Sequence, residues 1–274
     1  MLMETGYVNL HSPPIGTLSI FRAKWGTERR KADALLGAPP LSRVGSYASR
    51  RPKVLLVHGW RDNHRKWRYF GPYLSQAYEV WALDLPACGR SATIPLEYAT
   101  LQTYAQILAS FASHMACGEP LHGIVGHSMG GLLALLLAQK HPEIARRVSI
   151  CGAPVAGVRY LRPLTERQGF VTSCLQMVAS IPIVGRLLGD ADACVAGALL
   201  KEVCGCRLIE QCTLLPANLL VTRGEHDPYV SQTVARQCAE ASGGTFYEFQ
   251  GAFHTPILEQ REEFHRVVGG FLDG

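Results

Sequence analysis

A serine framed by glycines, Gly126-His127-Ser128-Met129-Gly130, follows the apolar pair Ile124-Val125 and precedes an Ala- and Leu-rich run. The pattern reads as a strand, a sharp turn and a helix, an arrangement that lifts a serine hydroxyl clear of a sheet so that it can attack a carbonyl. Side chains at Gly126 and Gly130 would collide in so tight a turn, which explains the glycines. A helix beginning at Met129 aims its first N–H groups and its positive end at the place where an oxyanion would form. Taken alone, the five residues also suit an ordinary glycine-rich turn between strand and helix, so partners must decide. A serine nucleophile needs a base to take its proton, a carboxylate to orient that base, and donors for the oxyanion. His254, in the loop Gly251–Pro256, is the candidate base, and Asp227, in the turn Arg223–Pro228, the candidate acid. The backbone N–H groups of Trp60 and Met129 are the candidate oxyanion hole.

These residues need elements that bring them to one edge. Val54-Leu55-Leu56-Val57 and Val80-Trp81-Ala82-Leu83 are short apolar runs bounded by turns, as buried parallel strands are. Further strands are expected at 6–10, 17–23, 148–151, 219–221 and 245–249, and helices over 64–75, 100–117, 129–141, 231–241 and 259–272. Strands and helices alternating in this way imply an α/β chain with a mostly parallel, doubly wound sheet. The rhythm breaks after the sixth strand. Residues 155–212 are apolar in patches without strand-like alternation, and read as an inserted helical cap. The core is then 1–154 and 213–274, interrupted by a basic surface insertion at about 25–52. In such a sheet, reactive residues gather at the carboxyl ends of the strands. Trp60, Ser128, Asp227 and His254 each follow a strand on that edge.

With those residues in view, the chain resembles an α/β-hydrolase of the esterase, thioesterase and C–C hydrolase group. The motifs are HGW (His58–Trp60), DLPxxGRS (Asp84–Ser91), GHSMGG (Gly126–Gly131), GEHDPYV (Gly224–Val230) and FHTPILEQREEF (Phe253–Phe264). The resemblance runs from about Lys53 to Asp273, the cap being unmatched, and the order Ser128, Asp227, His254 is the one that fold carries. It implies cleavage of carboxylic esters or thioesters of fairly apolar acids through an acyl-enzyme, without metal or organic cofactor. It leaves C–C bond hydrolysis of vinylogous diketones as an alternative. Relatives that process halides or epoxides carry Asp at the nucleophile position, against which Ser128 speaks. HGW and DLPxxGRS also resemble the pimeloyl-carrier methyl esterases. Arg159, Arg162, Arg167 and Arg186, against Glu166, would suit an acidic carrier protein. Two departures stand out: Ala87-Cys88-Gly89 where many relatives have Gly-His-Gly, and the long basic insertion.

Composition narrows the setting. The 274 residues fit one large domain with an insertion. Residues 21–53 carry about +7, more than the whole chain's +5, so the rest is nearly neutral. No aromatic or glycine pattern accompanies that charge, which reads as a solvated loop and not a nucleic-acid site. Nine cysteines, an odd number without a frame, and the lack of an apolar stretch in Met1–Leu10 point to a reducing, cytoplasmic setting. The Arg-rich, acid-poor N-terminal part leaves organellar targeting open. No window reaches the ~18 uncharged apolar residues of a membrane span.

Rival assignments are weaker. His58, at the end of a buried strand, is expected to fix the oxyanion loop. His127 helps to shape the elbow, and Asp84 and Ser91 stabilise a turn. His265 reads as a surface residue, and His64 shows no pairing by spacing. Cys204 and Cys206 lack a second pair at zinc spacing. Trp60, Leu175 and Val178, with Met177 and Ile181, are candidates for the substrate pocket; the last four serve equally well to pack the cap on itself. A ligand receptor that keeps the fold without catalysis is the alternative from another class, and a base–acid pair is of no use to it.

Overall fold

Two strands open the chain, β1 (Leu2–Ser12) and β2 (Gly16–Gly26), paired antiparallel across the turn at Pro13-Pro14-Ile15. They belong to a computed structural model that describes residues 2–26, 51–162, 165, 192–213 and 218–274. The candidate pocket residues Leu175 and Val178, most of the basic segment 25–52, and Arg167 and Arg186 lie outside the described residues. Burial alternates along β2, as expected of a strand with one face on a core. That strand runs on through Trp25, which is buried in the sheet instead of opening the basic insertion. Trp25 is held there by packing: a side chain at Gly71 would lie 2.8 Å from its ring.

The parallel part begins with β3 (Lys53–Val57) and β4 (Glu79–Leu83), and β2 runs antiparallel beside β4. Then follow β5 (Leu121–His127), β6 (Ala145–Cys151), β7 (Asn218–Gly224) and β8 (Thr245–Phe249). Together they make one eight-stranded sheet in the order β1-β2-β4-β3-β5-β6-β7-β8. The chain winds one way from β3 to β4 and the other way from β5 to β8, so the order reverses between β3 and β5. The crevice beyond the carboxyl ends at such a reversal is where doubly wound sheets bind ligands.

Helices cover both faces. On one lie α2 (Leu101–Ala116), α3 (Met129–Lys140) and α5 (Gln232–Ala241). Thr100 and Ser231 cap α2 and α5 by accepting from Thr103 N and Val234 N. Helix α3 is apolar all round because it is buried against β5, β6 and α2. The other face carries Trp67, Phe70, Phe249 and Phe264. Here the expected helix over 64–75 is a 3₁₀ turn, His64–Trp67, and a short α1 (Phe70–Leu74). Pro72 lacks the N–H a continuous helix would need. The closing helix is likewise in pieces: Pro256–Glu259, Arg261–Phe264, a π-turn over His265–Gly269, and Gly270–Asp273. His265 stacks on Tyr73 and Phe70 and is partly buried instead of lying on the surface. After β6 the chain leaves the sheet for the insertion. Helix α4 (Ala193–Gly205), capped by Asp192, returns it.

Candidate functional site

Ser128 stands between β5 and α3 with φ 54° and ψ −120°, a left-handed conformation that is costly for a residue with a Cβ. The neighbours enforce it. Ser128 N donates to Cys151 O at 2.8 Å, and its carbonyl accepts from Gly131 N at 2.9 Å. A Cβ at Gly126 would meet Gly130 O at 2.3 Å, and one at Gly130 would meet Val57 O at 2.3 Å. The side chain is thereby presented at the carboxyl edge, at the head of α3.

Asp227 and His254 arrive from the loops after β7 and β8. His254 Nε2 lies 3.0 Å from Ser128 Oγ, and His254 Nδ1 lies 2.8 Å from Asp227 Oδ2. Asp227 is buried, and its other oxygen accepts from Tyr229 N at 2.8 Å and Val230 N at 3.2 Å. With the carboxylate so fixed, it takes the proton on Nδ1, which leaves Nε2 as an acceptor facing the hydroxyl. Arg223 braces the same loop by donating to Val230 O and Glu225 O and pairing with Glu248. The sequence-predicted serine, acid and imidazole are therefore brought together in one hydrogen-bonded line.

The surrounding histidines and acids have other duties. His58 is buried; it donates from Nδ1 to Gly59 O and accepts Leu85 N at Nε2, tying the loop after β3 to the loop after β4. Burial pushes its pKa down, so it is neutral. His127 donates from Nε2 to His254 O at 2.9 Å, a strut between the elbow and the imidazole's own loop. Its pKa lies well below the usual histidine value, through burial first and then the nearby Lys66 and His254. Asp84 accepts from His64 N, His64 Nδ1 and Arg90 N. His64 thus has a partner that spacing did not reveal. Ser91 Oγ donates to Asp84 O and accepts from Phe21 N, a turn role.

Trp60 follows β3, and its indole N–H donates to Ala196 O of α4 at 2.8 Å, tying the loop after β3 to the insertion's return. Among the described residues, neither the Trp60 N–H nor the Met129 N–H has an acceptor. A cavity of about 270 Å³ opens over Ser128 and His254. Trp60, Val158, Leu161, Leu200 and Val203 give it an apolar side, and Asp62 and Lys66 a polar one. Three contributors escaped sequence reasoning. Tyr229 sets its ring edge-on against His254, with centroids 4.6 Å apart. Glu259 accepts from Phe253 N and Thr255 N, the amides on either side of His254. Burial alone would raise the Glu259 pKa, but these bonds and the Thr255 hydroxyl hold it below the usual value. Lys66 pairs with Asp62. The spacings Asp227-x-Tyr229, Thr255-x₃-Glu259 and Asp62-x₃-Lys66 were the available signals. Cys204 and Cys206 join no metal-holding group among the described residues.

A mostly parallel sheet with a serine at the turn from its inner strand β5 into a helix defines an α/β-hydrolase. Residues 54–267 match the model of the alpha/beta hydrolase family, and the chain belongs to that family. It is 33% identical over 252 residues to a pimeloyl-[acyl-carrier protein] methyl ester esterase of Methylococcus capsulatus, covering 82% of this chain and 96% of that one. It is 28% identical over 153 residues to bifunctional epoxide hydrolase 2 of Rattus norvegicus; that match takes in 55% of this chain but only 26% of the rat protein's length. Among solved structures, a thermophilic esterase from Thermogutta terrifontis superposes with a TM-score of 0.73 at 20% identity, over 98% of both chains. Among the described residues, no helix is long and apolar enough to cross a membrane.

Proposed function

We propose that this protein is a serine hydrolase that cleaves carboxylic esters or thioesters through an acyl-enzyme. The observation that carries the reading is the line of hydrogen bonds from the buried Asp227 through His254 to Ser128 at the head of α3. Ser128 Oγ attacks the carbonyl carbon while His254 Nε2 takes the hydroxyl proton. Asp227 keeps the imidazole in the right tautomer and stabilises its charged form. The N–H groups of Trp60 and Met129 receive the developing oxyanion, a donor pair whose loss typically costs ~10²–10³ in turnover per donor. His254 then returns its proton to the leaving group, and a water activated by the same imidazole hydrolyses the acyl-enzyme. The apolar side of the cavity suits a hydrocarbon portion of the acyl group. A core of residues 1–154 and 213–274 under a cap of residues 155–212 fits this division of labour.

Changing Ser128 to Ala should abolish turnover of p-nitrophenyl esters and labelling by a fluorophosphonate, with the fold intact by circular dichroism. Undiminished turnover in that variant would sink the assignment. A narrower reading, an acyl group carried on an acidic protein, is favoured by the Methylococcus relative. It gains support from a hollow of about 380 Å³ lined by Arg159 and Arg162, with Arg207 paired to Glu210 at its edge. If binding of an acidic carrier protein proved independent of salt, that narrower reading would go.

A further inference from the structure

The cavity over Ser128 has an apolar side, yet Asp62 and Lys66 form part of its wall. Lys66 lies in the 3₁₀ turn after β3, with only 9% of its side chain exposed, and its ammonium sits 2.9 Å from Asp62 Oδ2. The pair is built in. Asp62 Oδ1 accepts from Asn63 N at 2.9 Å, and Asn63 caps the turn by accepting from Arg65 N at 2.9 Å. The next residue, His64, is clamped by Asp84. A largely buried ion pair contributes little to stability, because desolvation offsets most of the attraction. A Leu or Met at position 66 would pack an apolar cavity at less cost. An ammonium has three N–H groups; among the described residues Asp62 is its one ion-pair partner, so donors remain for a ligand in the cavity.

We infer that Asp62 and Lys66 are specificity-determining residues that select acyl groups bearing a neutral oxygen function, above all a hydroxyl. This rests on the serine hydrolase reading of the same cavity. A hydroxyl matches both members of the pair, accepting from Lys66 Nζ and donating to the Asp62 carboxylate. A plain hydrocarbon chain leaves the remaining Lys66 N–H groups and Asp62 lone pairs desolvated without a hydrogen-bond partner, the situation in which a polar site rejects the analogue that lacks the group. A second carboxylate on the substrate meets Asp62 as well as Lys66, so the nearly neutral pair does not favour it.

The test compares kcat/KM for p-nitrophenyl butanoate, its 2- and 3-hydroxy derivatives, and the mono-p-nitrophenyl ester of succinic acid. The intact protein should favour the better hydroxy ester over the plain one by about tenfold or more, a difference of one well-made hydrogen bond to a charged group. Lys66→Met should bring that ratio near one, and Lys66→Arg should keep part of it. A ratio near one in the intact protein, an equal fall on both esters in Lys66→Met, or a preference for the succinate ester each overturns the inference. Fluorophosphonate labelling separates the two readings. If Ser128 is labelled while the ratio is near one, the selection role fails alone; if Ser128 stays unlabelled, the hydrolase reading fails and the selection role with it.

Discussion

Replacing Asp227 by Asn keeps the shape of the side chain and removes its charge. Two backbone N–H groups, from Tyr229 and Val230, are held by Oδ1, while Oδ2 alone faces His254 Nδ1. The amide therefore keeps its oxygen on the two N–H groups, since the opposite orientation would turn an NH₂ against both, at roughly 1–3 kcal/mol for each buried donor left unpaired. The NH₂ then points at Nδ1, and the imidazole can accept it only by moving its proton to Nε2. In that tautomer Nε2 donates toward Ser128 Oγ and cannot take the hydroxyl proton. The expected loss in kcat is ~10⁴-fold, the cost of a base held in the wrong tautomer. Stability should change by only about 1 kcal/mol, because one hydrogen bond is exchanged for another. The assay is p-nitrophenyl ester turnover near pH ~7.5, alongside a urea melt. A kcat for the Asp227→Asn variant within tenfold of the parent would refute the role assigned to the carboxylate.

Other consequences follow from packing and burial. Gly126→Ala puts a Cβ 2.3 Å from the carbonyl oxygen of Gly130, a backbone atom that cannot step aside. A destabilisation of about 3 kcal/mol or more is expected, read as a drop in Tm of roughly 6 °C or more; a Tm within a degree of the parent contradicts it. His58 and His127 are buried and held neutral, with pKa values below the ordinary one. The unfolded chain binds the protons that the fold refuses, so their stabilisation is complete above pH ~6.5 and is lost as pH falls below it toward the folded values. Urea melts taken from about pH 7 down to about pH 5 should show stability declining by up to ~1.4 kcal/mol per pH unit for each histidine. A flat profile across that window would contradict the assigned burial.

Much of the frame was legible because it depends on local pattern. The saturated runs at Val54–Val57 and Val80–Leu83 are buried parallel strands, and Thr245–Phe249 is a strand with the predicted ends. The convergence of Ser128, Asp227 and His254 could be expected from their positions after strands on one edge. What stayed hidden depends on distant partners. Nothing in the spacing of His64 announces Asp84, twenty residues away, and the π-turn over His265–Gly269 lies where His265 stacks on the ring of Tyr73 and Gly269 leaves room for that ring. Trp25 read as the start of a polar stretch because its neighbours in sequence are basic, whereas its neighbours in space are apolar. Glu259 and Lys66 were not singled out by sequence reasoning, and only the loop geometry gives them acceptor and donor duties.

The atoms expected to make and break bonds all come from turns anchored in β5, β7 and β8, while Val158, Leu161, Leu200 and Val203, on the walls that face a guest molecule, belong to the excursion between β6 and β7. The apolar part of the wall is thus written in a different stretch of the gene from the trio, whereas the polar part, Asp62 and Lys66, stays with the core. Exchanging the excursion would retune which guests are admitted while leaving the reactive trio in register, and the indole tether from Trp60 to Ala196 marks a seam that any such graft would have to preserve.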